Sequence, residues 1–221
     1  MSNSSEGDRS LGGPLPSNAA PQVNPTEPLP TPEGSTAVIG GYLDGLLPAA
    51  GGRVDRVSQR VQDIVRWVGD TSPGRLIMPL LRGNTWLGHP VHPVVVTVPI
   101  GAWVVSSWYD LSSIRTGRKR DEYVADGALR IGIASAVPAA VTGIAQFLDT
   151  RDHTRRETAV HAALNNLALM LFLLSLGLRR TGHRSLARGV SATALGVVGV
   201  SGYLGGDLAY RHGIGVSRTS R

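Results

Sequence analysis

A chain of 221 residues with 22 Lys and Arg against 16 Asp and Glu, a net charge of +6, 42% hydrophobic residues and a mean hydropathy of +0.02 has the averages of a basic soluble domain. Its length allows one or two domains with a sizeable core. The absence of cysteine excludes disulfides, thiolate zinc sites, iron–sulfur ligation and covalent c-type haem attachment within the chain.

Taken in chain order, the averages come apart. Residues 1–36 are Ser, Asn, Pro and Gly with few large apolar side chains, too little to offset chain entropy by burial, and are expected to form a disordered tail. They contain no signal-type apolar stretch, so insertion is expected to rely on later segments. Residues 37–82 read as an amphipathic juxtamembrane segment. Within it Val54, Val57, Val61, Ile64 and Val68 recur at helical spacing beside Arg53, Arg56, Arg60 and Arg66. Such a helix suits an anionic membrane surface or the side of a bundle, with a dimer contact as the alternative.

The remainder is dominated by runs without a charge: Gly83–Tyr109, Ile131–Leu148, Thr158–Leu178 and Gly189–Gly206. The shortest reaches roughly 27 Å as a helix, close to the ~30 Å hydrocarbon core of a bilayer. The fold class expected is therefore all-α: a four-helix transmembrane bundle over 83–216, with spans near 90–112, 127–148, 158–179 and 189–210, and a short tail at 217–221. Pro99 and Pro138 predict kinks. Small residues in 131–143 and 191–206 suit close helix packing in lipid.

Four spans put both termini on one face. Counted from Arg53 onward and leaving out Arg130 of the second span, that face carries twelve Lys and Arg and the opposite face eight, with Arg179, Arg184 and Arg188 taken as loop charges of the second. The positive-inside rule separates the two weakly; the long N-terminal region favours cytoplasmic termini.

Parity also gathers polar groups. His89 and His92 open the first span, Asp149 closes the second, His153 follows, His161 begins the third, and Asp207 and His212 end the fourth, so five of six histidines share one face. His89 and His92 are spaced to share a helical turn, and His161 with Asn165 forms an i, i+4 ridge; Gln146 and Tyr203 are further candidates. Imidazoles and carboxylates between helices suit a first-row metal and, for imidazole, haem b. Polar helix ends at the membrane interface are the alternative, since no H-E-x-x-H or comparable signature is present.

From Leu87-Gly88-His89-Pro90-Val91-His92-Pro93 through Val98-Pro99-Ile100-Gly101-Ala102-Trp103 to Asp110, the sequence resembles a bacterial membrane family known as domain of unknown function number 2231. Thr142-Gly143, Arg155 to His161 with Asn165, and Gly202-Tyr203-Leu204-Gly205-Gly206 through Tyr210-Arg211-His212-Gly213 are similar too, so the likeness spans about residues 80–216. The resemblance implies a four-span bundle in the bacterial cytoplasmic membrane. It also implies electron-transfer company, since some relatives are joined to Rieske or cytochrome domains. Matching positions are His89, His92, His161 and His212. The chain departs at Gln146, where an acid is expected, and carries Asp149 three residues later.

Two functions compete. In the first, His89, His92, His161 and His212 bind haem b or, with Asp149 and Asp207, a metal, beside a Rieske or cytochrome partner. In the second, the protein is a non-catalytic scaffold anchoring a partner complex. A transporter is disfavoured because Asn165 and Asn166 stand as the lone polar groups inside the spans. No hydrolase, nucleotide-binding or nucleic-acid-binding pattern appears, and the bilayer is the expected partner.

Overall fold

The computed structural model describes residues 51–214, so the expectations for residues 1–50 and 217–221 lie outside the described residues. Among the described residues the regular elements are all helices: α1 (Gly51–Asp70), α2 (Ser72–Arg82), α3 (His92–Val95), α4 (Thr97–Thr116), α5 (Lys119–Phe147), α6 (Asp152–Arg180) and α7 (Arg184–Tyr210). Among them, four helical segments are long and apolar enough to cross a membrane: His92–Thr116, Lys119–Phe147, Thr154–Arg180 and Arg184–Tyr210.

α4 and α5 form one hairpin, α6 and α7 a second. The first turns on Gly117, whose φ of 67° is a left-handed value that glycine takes without the Cβ penalty; its N–H donates to Ser113 O at 2.9 Å. Pro99 falls in the first turn of α4, where a missing N–H costs nothing. Pro138 lies inside an unbroken α5, where Thr142 Oγ1 donates to the Pro138 carbonyl at 2.9 Å.

The bundle is apolar outside, and its interior adds small and hydroxyl-bearing residues to a core of Trp103, Leu129 and Phe172. Val98, Val104, Trp108, Ile131, Val137, Met170 and Val200 point outward, whereas Ser106, Ser113, Thr142, Ser175, Ser191 and Ser201 are buried. Hydrocarbon offers the outer residues an apolar solvent, and small hydroxyl residues let helices approach and bond.

The hairpins are two copies of one design. Ser106 Oγ on α4 donates to Ala125 O on α5 at 2.9 Å, and Ser175 Oγ on α6 donates to Ala187 O on α7 at 2.8 Å. His92 Nδ1 donates to Ala139 O at 2.9 Å, and His161 Nδ1 to Ser201 O at 2.8 Å. The His92 ring lies against Gly143 and the His161 ring against Gly205. Equivalent residues of α3 and α4 on one side and α6 on the other, 69 apart in sequence, meet across the bundle: His92 with His161, Trp103 with Phe172, Asp110 with Arg179. This is a parallel repeat about a pseudo-two-fold axis along the bundle, one of the arrangements known in membrane proteins.

At the histidine end, α1 lies against the turn joining the hairpins. Gln62 Nε2 donates to Phe147 O and Thr150 O, both at 2.9 Å, and to Thr150 Oγ1 at 3.1 Å. Arg156 Nε donates to Asp55 Oδ1 at 2.6 Å, and that hydrogen bond holds the Asp55 carboxyl below its ordinary range. Because the folded value is the lower one, the contribution of Asp55 is present above its unfolded pKa and is lost as pH falls through the folded value. Acidification below about pH 4, near the unperturbed carboxylate value, is therefore expected to loosen α1. Hydrogen exchange of residues 51–70 should show this opening, reduced in Asp55→Asn, where exchange is already faster at neutral pH.

Candidate functional site

Three layers stand on the pseudo-two-fold axis, and their depth follows from helix geometry. Asp110 lies 18 residues beyond His92, as Arg179 does beyond His161. At 1.5 Å per residue the first and last layers are ~27 Å apart, near the two edges of a hydrocarbon core.

The first layer is the histidine pair. The rings of His92 and His161 stand edge to face with centroids 6.4 Å apart. Donation to a carbonyl requires the proton on Nδ1 of each ring. His161 Nε2 then accepts from Asn165 Nδ2 at 3.0 Å, while Ser201 Oγ donates to Asn165 Oδ1 at 2.9 Å. The His161–Asn165 ridge expected from spacing is thus present, and both nitrogens of His161 are engaged. His89 does not share a turn with His92: it is exposed in the segment before α3, which starts at His92. Tyr203 is also exposed, and the side chain of His153 lies outside the described residues.

The middle layer stacks Trp103 on Phe172, centroids 4.2 Å apart. Trp103 lies against Gly132, whose counterpart in the second hairpin is Ala194; Ala194, like Phe172, is fully buried.

The third layer corrects two sequence expectations. Arg179 and Arg188 are not loop charges, and Asn165 and Asn166 are not the lone polar groups within the spans. Buried Arg179 pairs with buried Asp110 and donates to Asp126 Oδ1 at 2.7 Å. Arg184 Nη2 reaches Asp126 Oδ2 at 2.6 Å, and Arg188 Nη2 reaches Glu122 Oε1 at 3.2 Å and Ser113 Oγ at 2.8 Å. The first hairpin supplies Asp110, Glu122 and Asp126; the equivalent positions of the second supply Arg179, Arg184 and Arg188. Each of these six charges therefore has an opposite partner, the condition for holding ions away from water.

Just outside the histidine layer, the repeat is broken. Glu157 on α6, Asp207 on α7 and His212 after it each offer a ligand atom within 4.8 Å of the other two. His212 Nε2 stands 3.1 Å from Glu157 Oε2, and Arg211 Nε stands 2.9 Å from Asp207 Oδ1. The counterpart of Asp207 in the first hairpin is Ala145. The structure thus joins Asp207 and His212, both anticipated, to Glu157, which was not. Asp149 lies elsewhere, in the turn after α5, paired with Arg82; burial nevertheless raises its carboxyl above the ordinary range, outweighing the guanidinium.

Four apolar helices, an apolar exterior and a polar, ion-paired interior define a multi-pass integral membrane protein. The chain belongs to the family described as "Predicted membrane protein (DUF2231)", whose model matches residues 88–218. No curated protein and no solved structure matches it.

Proposed function

We propose that the protein is a membrane-embedded metal-binding bundle that holds a divalent first-row metal at Glu157, Asp207 and His212. The observation carrying this reading is the convergence of two carboxylates and an imidazole from α6 and α7 at one end of the bundle. Oxygen and imidazole nitrogen donors suit such ions, and three protein ligands leave a position for water or substrate. Bond lengths of ~2.0–2.2 Å require the ligand atoms to close by roughly an ångström, within reach of side-chain rotation.

Haem b on His92 and His161 is the second reading, favoured by their on-axis placement and by Nδ1–H donation to carbonyls, the anchoring typical of ligating imidazoles. It fits less well, because Asn165 would have to release His161 Nε2. A redox role beside a Rieske or cytochrome partner belongs with either reading. We read the end bearing α1 and the cluster as the cytoplasmic side of a bacterial inner membrane; the pairing of Arg179 and Arg188 with carboxylates of the first hairpin, which takes them out of the opposite loops, supports this reading.

Purified full-length protein is expected to bind Mn²⁺, Co²⁺ or Zn²⁺ at one equivalent, measured by elemental analysis after gel filtration. Asp207→Asn and His212→Ala should lose it and His92→Ala retain it. A Soret band abolished by His92→Ala would transfer the assignment to haem. Folded protein that is colourless and takes up no metal would overturn both.

A further inference from the structure

The side of α1 that meets the bundle is not its apolar side. Ser58, Gln62 and Val65 are the buried residues of α1, whereas Val57, Ile64 and Val68 are 62%, 60% and 44% exposed. At 100° per residue, the Val57/Val61/Ile64/Val68 stripe lies about a quarter turn from the docked stripe. Arg53, Arg56 and Arg60 follow on the far side of the apolar stripe from the bundle, and all three are exposed. α2 continues the pattern: Leu76 is 75% exposed, Ile77 and Leu80 are exposed with it, and Trp86 beyond it is 59% exposed.

A helix with the bundle on one side, apolar residues a quarter turn away and arginines beyond has the faces of a rod lying flat where protein, hydrocarbon and headgroups meet. Residues 83–91 join α2 to the first span, which opens at His92 and carries the exposed Val94 and Val98 near its start. Of the acids that could offset these arginines, Asp55 is taken by Arg156 and Asp63 pairs with Arg66 at 3.2 Å.

We propose that α1 and α2 form a collar whose apolar face lies in the interfacial layer of the protein's own membrane, with Arg53, Arg56 and Arg60 on anionic lipid headgroups. Interfacial helices of this composition sink ~5–10 Å into the headgroup boundary. Basic residues beside an anionic surface add attraction that salt screens. This assignment is independent of the metal reading.

The chain has no native cysteine, so single-cysteine probes are unambiguous. Full-length Val57→Cys, Ile64→Cys, Leu76→Cys and Gln59→Cys would carry a fluorophore in nanodiscs of phosphatidylcholine with 30 mol% phosphatidylglycerol. Shallow doxyl-labelled lipids are expected to quench the first three at least threefold more strongly than Gln59→Cys, with aqueous iodide showing the reverse order. In phosphatidylcholine alone, or with Arg53, Arg56 and Arg60 changed to Gln, the lipid quenching should fall. Iodide quenching of Ile64→Cys as strong as that of Gln59→Cys would overturn the collar. Shielding of Ile64→Cys from both quenchers would overturn it in favour of a protein partner or second copy. Lipid quenching unchanged by removing phosphatidylglycerol would overturn the headgroup assignment.

Discussion

Arg179→Met is expected to destabilise the bundle by about 3–5 kcal/mol, because it leaves carboxylates in a low-dielectric interior without their cation. Arg179 is the centre of its network: it pairs with Asp110 and Asp126 and donates to Ser175 and Ser191 at 3.4 and 3.3 Å. Lysine should rescue only partly, since one ammonium does not reproduce a fork reaching four groups. Arg180→Met, at the exposed neighbour, should lie within about 0.5 kcal/mol of wild type, as surface substitutions usually do. Denaturant unfolding in micelles checks these values. Adding Asp110→Asn to Arg179→Met is the stricter test: a coupled network makes the second change far cheaper in the mutant than in the native protein. Strict additivity would mean that the pair is incidental.

The second large effect concerns Gly132. A Cβ there would run into the Trp103 indole, itself stacked on Phe172, so Gly132→Ala is expected to cost about 1–3 kcal/mol despite the better helix propensity of alanine. The repeat supplies the remedy, because the second hairpin places Phe172 and Ala194 at the corresponding positions. Trp103→Phe with Gly132→Ala copies that pair and should recover most of the loss. Trp103→Phe alone should leave a smaller deficit, from the cavity left by the lost ring. Thermal midpoints of the three variants would test this; a double mutant as weak as Gly132→Ala would show that the hairpins are not interchangeable at this layer.

The fold was legible because lipid removes the usual ambiguity of apolar runs: a helix with no charge for 18 or more residues has few places to be other than a membrane. The amphipathic pattern of α1 was equally visible, but the face that meets the bundle was not, since Ser58 and Gln62 give no apolar signal. Charge counting failed at Arg179 and Arg188 because a charge at the edge of an apolar run reads as loop whether it faces water or a carboxylate 69 or 66 residues earlier in the chain. The repeat left a trace in the sequence, a histidine, a serine fourteen residues on and a charge four residues after that, at 92, 106 and 110 and again at 161, 175 and 179. That trace is hidden by the change of charge and by Trp103 standing opposite Phe172. In the candidate site, Asp207 and His212 were reachable by asking which residues share a membrane face. Glu157 was missed because it reads as another loop acid until α6 carries it inward.

The opposite charges of the two halves bear on how the protein is made. During synthesis the α4–α5 hairpin reaches the membrane first, bringing Asp110, Glu122 and Asp126; Glu122 has Lys119 of its own hairpin at 3.1 Å, but the arginines that pair with Asp110 and Asp126 are translated only later. Until α6 and α7 arrive, Asp110 and Asp126 must stay hydrated at the membrane edge or be shielded by the insertion machinery. The later hairpin meets the complementary problem, and the first half is its ready counterion. Neither half is a comfortable lodger in lipid on its own, so the chain behaves as a heterodimer whose subunits are delivered one after the other.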